Sequence, residues 1–218
     1  MVDFSQARVM MVDTQVRPSD VTHLPIIEAM LTIPRDEFVP ASARSVAYAE
    51  DHVPIGDDRV LLDPRTLAKM IDAIDPDAGD VVLDLGCGLG YSTAILARMV
   101  QAVVGLETDP ARAEAAQALL ARHDVDNATV IAGGLIDGAA RHGPFDSILI
   151  SGGAVEQVPD ALIAQLRDGG SIIAVFIDNN LGTVRRGLVH RGKLAWHDLF
   201  HAAAPVLAEF VRPHEFAL

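Results

Sequence analysis

Two carboxylates and a run of glycines supply the chemistry most worth explaining in this chain. Val81-Val82-Leu83-Asp84-Leu85-Gly86-Cys87-Gly88-Leu89-Gly90 is an apolar run that stops in alternating glycines, with a helical pattern directly after it. Such a run reads as a buried parallel strand, and small residues at its carboxyl end let a ligand approach the backbone. A second apolar run, 102–106, ends in Glu107, followed by Thr108. A carboxylate there can accept hydrogen bonds from a ribose lying across the first strand. The pattern therefore points to a nucleoside site.

The spacing of Gly86, Gly88 and Gly90 narrows the ligand. A dinucleotide fingerprint of the GxGxxG type would place its third glycine where Tyr91 stands. GxGxG followed by tyrosine suits S-adenosylmethionine, whose amino-acid end needs polar contacts but carries no phosphate. A nicotinamide or flavin dinucleotide and a ligand-free structural turn are the alternatives. Asp84 is expected to take loop amides or the ligand's ammonium. Cys87 supplies a small side chain, with no activating neighbour in sequence. After the third strand, Gly134 and Leu135 are placed to flank adenine; after the fourth, Ser151 is placed near the transferring group. On this scheme no metal takes part, and Glu107→Ala weakens cofactor affinity while leaving the fold intact.

The elements that position these residues read as an alternation. Strands are expected at 81–85, 102–106, 128–132, 145–150 and 171–177, and helices at 91–99, 110–123 and 159–166. Asp109-Pro110 is a helix start, aspartate capping free amides and proline lacking one. Residues 183–189 and 194–200 form an antiparallel pair around His190-Arg191-Gly192-Lys193. The expectation is an α/β, Rossmann-like fold with a seven-stranded mixed sheet, helices on both faces and an N-terminal helical extension. One domain over 1–218 is expected, with a helical cover at 1–56, a substrate-side loop and helix at 57–78, and a cofactor-binding core at 79–218. Within the cover, helices are expected at 21–31 and 41–47, and the substrate-side helix runs from Pro64 through Ala73.

Composition sets the outer limits. Half of the 218 residues are apolar but only 5% aromatic, so aliphatic residues must fill the core. A net charge of -13 argues against broad contact with nucleic acid or an anionic membrane. A single cysteine gives no disulfide framework, and no secretory or membrane-spanning pattern stands out, so a cytoplasmic location is expected.

Beyond the glycine loop, several stretches resemble the protein-L-isoaspartate O-methyltransferase family over nearly the full chain. They are Met30-Leu31-Thr32-Ile33-Pro34-Arg35-Asp36-Glu37-Phe38-Val39-Pro40, then Ala47-Tyr48, Val53-Pro54-Ile55-Gly56, residues 154–159 and Gly169-Gly170. The resemblance implies a class I S-adenosylmethionine-dependent O-methyltransferase acting on a protein or peptide carboxylate in protein repair. A small-molecule acceptor and a catalytically idle cofactor-binding module are the alternatives. It also exposes departures. The family's threonine-isoleucine-serine-glutamine-proline falls on Val60, Leu61, Leu62, Asp63 and Pro64, so Leu62 replaces a serine. The family's glycine-aspartate-glycine falls on Gly133, Gly134 and Leu135, and its acid is missing. Leu61, Leu62, Asp63 and Ser151 are the substrate-side candidates. The charge of Asp63 would repel a carboxylate acceptor unless the side chain points away or is paired with Arg59 or Arg65.

Overall fold

The computed structural model describes residues 3–56, 59–179 and 181–212. Its main sheet has seven strands, built outward from the first apolar run. β3 (Val81–Leu85) lies between β4 (Ala102–Glu107) and β6 (Phe145–Val155), with β5 (Ala128–Ala132) outside β4. β7 (Leu166–Asp178) follows β6, and these five strands are parallel. β8 (Leu181–His190) and β9 (Lys193–His201) extend the sheet as an antiparallel meander, giving the order β5-β4-β3-β6-β7-β8-β9. The chain moves from β3 outward to β5, then returns to the other side of β3 at β6. That reversal opens a crevice at the carboxyl ends of β3 and β6, where open α/β sheets take their ligands.

Alternating strand residues feed two apolar layers, as the period of two requires. Val82, Leu149, Ile173 and Val175 face one layer, while Leu83, Ile148, Ile150 and Ile172 face the other. The first layer is covered by α1 (Phe4–Met11), α2 (Leu24–Thr32), α3 (Pro64–Ile74), α4 (Tyr91–Ala97) and α5 (Pro110–Arg122). α3 contributes Leu67, Met70, Ile71 and Ile74 at helical spacing, all buried. The second layer is closed by α6 (Asp160–Ile163) and by Leu207 and Phe210 of the segment after β9. That segment returns over the sheet: Ala154 N donates to Pro205 O at 2.7 Å, and Leu207 N to Ala154 O at 2.9 Å.

Several element bounds differ from the expected ones. The 159–166 helix is a single turn, because Leu166 already pairs with Phe145 and opens β7. The short helix expected at 41–47 is present as a 3-10 helix, Ala41–Val46, rather than an α-helix. The loop expected ahead of Pro64 contains a two-stranded ribbon, β1 (Val53–Gly56) with β2 (Arg59–Leu61), in which Val53 pairs with Leu61. No helix among the described residues is long and apolar enough to cross a membrane.

Candidate cofactor cleft

The floor of the crevice is made by β3, β4 and the loop between β3 and α4. Gly88 sits at φ +59°, and a Cβ there would run into Ile55 Cδ1 from the ribbon above. Across the crevice, a Cβ on Gly152 would lie 2.5 Å from Gly86 O, so β6 can approach the loop only without a side chain. Gly152 requires glycine for space, since the clash is with backbone, whereas Gly88 requires it for backbone conformation and meets only the tip of the Ile55 side chain.

Asp84, near the end of β3, is fully buried and takes hydroxyls rather than the loop amides expected of it. Ser151 Oγ donates to Oδ1 at 2.5 Å, while Ser92 Oγ and Thr93 Oγ1 donate to Oδ2 at 2.6 and 2.7 Å. Burial pushes its carboxyl above the usual aspartate range, and the three hydroxyls oppose that shift without cancelling it. The loop amide goes instead to Glu107. Gly88 N donates to Glu107 Oε2 at 3.0 Å. Oε1 accepts from Thr108 N at 2.9 Å, Thr108 Oγ1 at 3.2 Å, Asp109 N at 3.3 Å and Arg112 Nη1 at 3.0 Å. Asp109 caps α5 as expected, through Ala111 N and Arg112 N, and so helps aim Arg112 at the carboxylate.

The roof is the β1–β2 ribbon. Arg59, 3% exposed, places Nε 3.7 Å from Glu107 Oε1. Its Nη2 donates to Thr108 Oγ1 at 3.1 Å and to Glu209 Oε1 at 2.6 Å. Arg59 is thus the partner of Glu107 and Glu209, not of Asp63. Asp63 caps α3 through Thr66 N and has His52 Nδ1 3.4 Å away, whereas Arg65 lies over the Phe200 ring. Leu62 is buried in the first core layer, and its carbonyl accepts Arg35 Nη2 at 2.7 Å. Arg35 is itself fully buried over the Tyr91 ring, and desolvation lowers its pKa.

The structure therefore unites Asp84, Gly86, Cys87, Gly88, Glu107, Thr108 and Ser151 around one crevice, whereas Gly90 faces Ala116 and Leu120 of α5. Leu61 and Ser151 line the same hollow; Leu62 and Asp63 turn away from it. Leu135 is wholly buried, 3.7 Å from where a Cβ on Gly86 would stand, and Asp137 Oδ2 closes over Gly134. Cys87 is buried beside Asp84 and Glu107, which together with burial push its thiol well up. Sequence reasoning missed Ile55, Arg112 and Glu209; of the two ways out offered for Asp63, pointing away or pairing with an arginine, the structure shows the first. The readable signal was an arginine one turn after the Asp109 cap, facing back to the strand end.

As a test for S-adenosylmethionine, the polar groups fit and the space does not. Two carboxylates and a glycine loop stand where a ribose and an amino-acid end would need them. Yet the hollow between ribbon and loop is only about 10 Å³, room for about one water. A larger hollow of about 330 Å³ lies apart from it, between α2 and Arg98.

The profile of the family "Protein-L-isoaspartate(D-aspartate) O-methyltransferase" matches residues 8–186. A protein-L-isoaspartate O-methyltransferase of Methanospirillum hungatei is 33% identical over 187 residues, covering 86% of this chain and 85% of the relative. One from Roseiflexus castenholzii is 37% identical over 172 residues, covering 79% and 78%. Among solved structures, a protein described as a putative protein-L-isoaspartate O-methyltransferase of Plasmodium falciparum, in complex with S-adenosyl-L-homocysteine, superposes with a TM-score of 0.80. It is 18% identical, with 96% of this chain and all of that one covered, and so shares the fold. The chain belongs to the protein-L-isoaspartate O-methyltransferase family, with its Rossmann-like class I fold, and by that membership is an S-adenosylmethionine-dependent methyltransferase.

Proposed function

We propose that this methyltransferase esterifies a carboxylate of a protein or peptide, as its relatives' names state for theirs. The observation that carries the reading is the presence of two buried carboxylates, Asp84 and Glu107, on the adjacent strands β3 and β4 beside the glycine loop. In this scheme Glu107 holds a ribose, Asp84 and residues 86–90 hold the amino-acid end, and Leu135 borders adenine. When bound, the cofactor supplies a methyl group on a positively charged sulfonium. An acceptor carboxylate is already ionised near neutral pH, so no strong general base is required. The chain's work is alignment and exclusion of water. Leu61, Tyr91 and Ser151 line the hollow where an acceptor would arrive, and Leu61 offers it an apolar wall. The reading places the reaction in the cytoplasm.

A second reading, a cofactor-binding module without turnover, draws on the filled hollow and on Leu62 standing in the core. Labelled S-adenosylmethionine with an isoaspartyl peptide separates the two. A base-labile methyl ester formed over many turnovers is expected. Folded protein that yields no ester would sink the proposed reaction, and a base-stable product would move it to another acceptor.

A further inference from the structure

We propose that the β1–β2 ribbon is a built-in plug, with Arg59 standing at Glu107 in the place of a ribose diol. The inference rests on the cofactor reading above and adds a regulation of that same site. A carboxylate offers about four lone-pair positions. Glu107 already receives five hydrogen bonds, from Gly88 N, Thr108 N, Thr108 Oγ1, Asp109 N and Arg112 Nη1. Four of the five fall on Oε1 while Oε2 accepts from Gly88 N alone, so a hydroxyl pair that needs both oxygens must displace a donor from Oε1. Arg59 fills the ground in front of that carboxylate, 3% exposed, and is held there from behind by Glu209 at 2.6 Å.

The apolar side of the plug is equally specific. Ile55 Cδ1 occupies the space that a side chain on Gly88 would take, so the freedom that a glycine loop gives a ligand is spent on the chain's own isoleucine. The pairing Gly56 with Arg59 and Val53 with Leu61 fixes both side chains on one ribbon, which must move as a unit. A ligand that needs the open arrangement binds with an affinity reduced by the fraction of molecules that are open. Arg59→Ala and Ile55→Ala each remove one attachment of the ribbon, the first polar and the second apolar.

The test is calorimetry with S-adenosylhomocysteine on wild type, Arg59→Ala and Ile55→Ala, joined to hydrogen exchange of the ribbon without ligand. The plug predicts slow exchange over 53–56 and 59–62 in ligand-free wild type, faster exchange in both variants, and binding at least about tenfold tighter in each. A ribbon that exchanges freely in ligand-free wild type overturns the plug, as does unchanged affinity in variants that bind. If the ribbon is protected and no protein binds, the plug stands as a permanent closure and the cofactor reading falls. Circular dichroism confirms that each variant is folded before it is scored.

Discussion

The floor and the roof of the crevice have opposite characters. The floor, from β3, β4 and the glycine loop, is a set of backbone amides and carboxylates whose positions follow from strand register. Leu83 pairs with Val104 and Ile148, and that ladder fixes where Asp84 and Glu107 end. The roof, made of β1 and β2, is held by the packing of Val53, Ile55, Val60 and Leu61 and by the ion pairs of Arg59 with Glu107 and Glu209. The floor keeps what a nucleoside ligand needs, while the roof uses those same groups for the protein itself. A ligand site can thus be retained in its polar geometry while its volume is reassigned.

The largest test is aimed at the polar hub. Glu107→Ala takes a fully buried carboxylate from between Arg59 and Arg112, and removing one member of a buried ion network costs about 3–5 kcal/mol. Urea unfolding measures it, and a loss under about 1 kcal/mol would mean that the network is not a structural hub. Next comes Leu62→Ser, which restores the family's hydroxyl. Leu62 is fully buried, so the change should destabilise by about 2–5 kcal/mol through cavity formation and an enclosed hydroxyl. Stability equal to wild type would show that the roof tolerates a polar residue there.

Gly88→Ala joins the two regions. Positive φ and contact with Ile55 predict a loss of about 1–3 kcal/mol, part of which returns in the double variant with Ile55→Ala. Strict additivity in that double-mutant cycle would deny the contact. Asp84 supplies a pH test. Its folded pKa is raised, so the folded state binds the proton more tightly than the unfolded state, whose carboxyl titrates near ~3.9. Its contribution to stability therefore declines as pH rises from that value through the raised one, then levels off. The stability of Asp84→Asn relative to wild type should climb over the same window; a difference independent of pH rejects the shift. The smallest effect is at Cys87. Buried and raised in pKa, it should resist iodoacetamide at pH ~8 in folded protein and react in urea, as mass spectrometry will read.

The floor was legible because its signals are local. The apolar run, the glycines that end it, Glu107 at the next strand end and the Asp109-Pro110 start lie within a short stretch of chain. Each is dictated by strand burial or helix capping. The antiparallel pair around 190–193 was legible for the same reason. The roof was not. Nothing local in Val53-Pro54-Ile55-Gly56 says that Ile55 will pack on Gly88, and nothing around Arg59 in the sequence points to Glu107 or Glu209, 48 and 150 positions away. The single turn of α6 was also hidden: residues 164–166 continue an amphipathic pattern, but pairing with Phe145 takes Leu166 into the sheet.

The link between Arg59 and Glu209 spans 150 positions, which gives the crevice an order of assembly. β3, β4 and the glycine loop can be docked once β6 has been made, whereas the ribbon lacks its rear anchor until residue 209 leaves the ribosome. Closing so long a loop carries an entropic cost that only the completed sheet beneath it can offset. During synthesis, therefore, there is an interval in which the floor exists and the roof is untied. Of all its lifetime, a newborn chain meets small molecules with its carboxylates least defended in that interval.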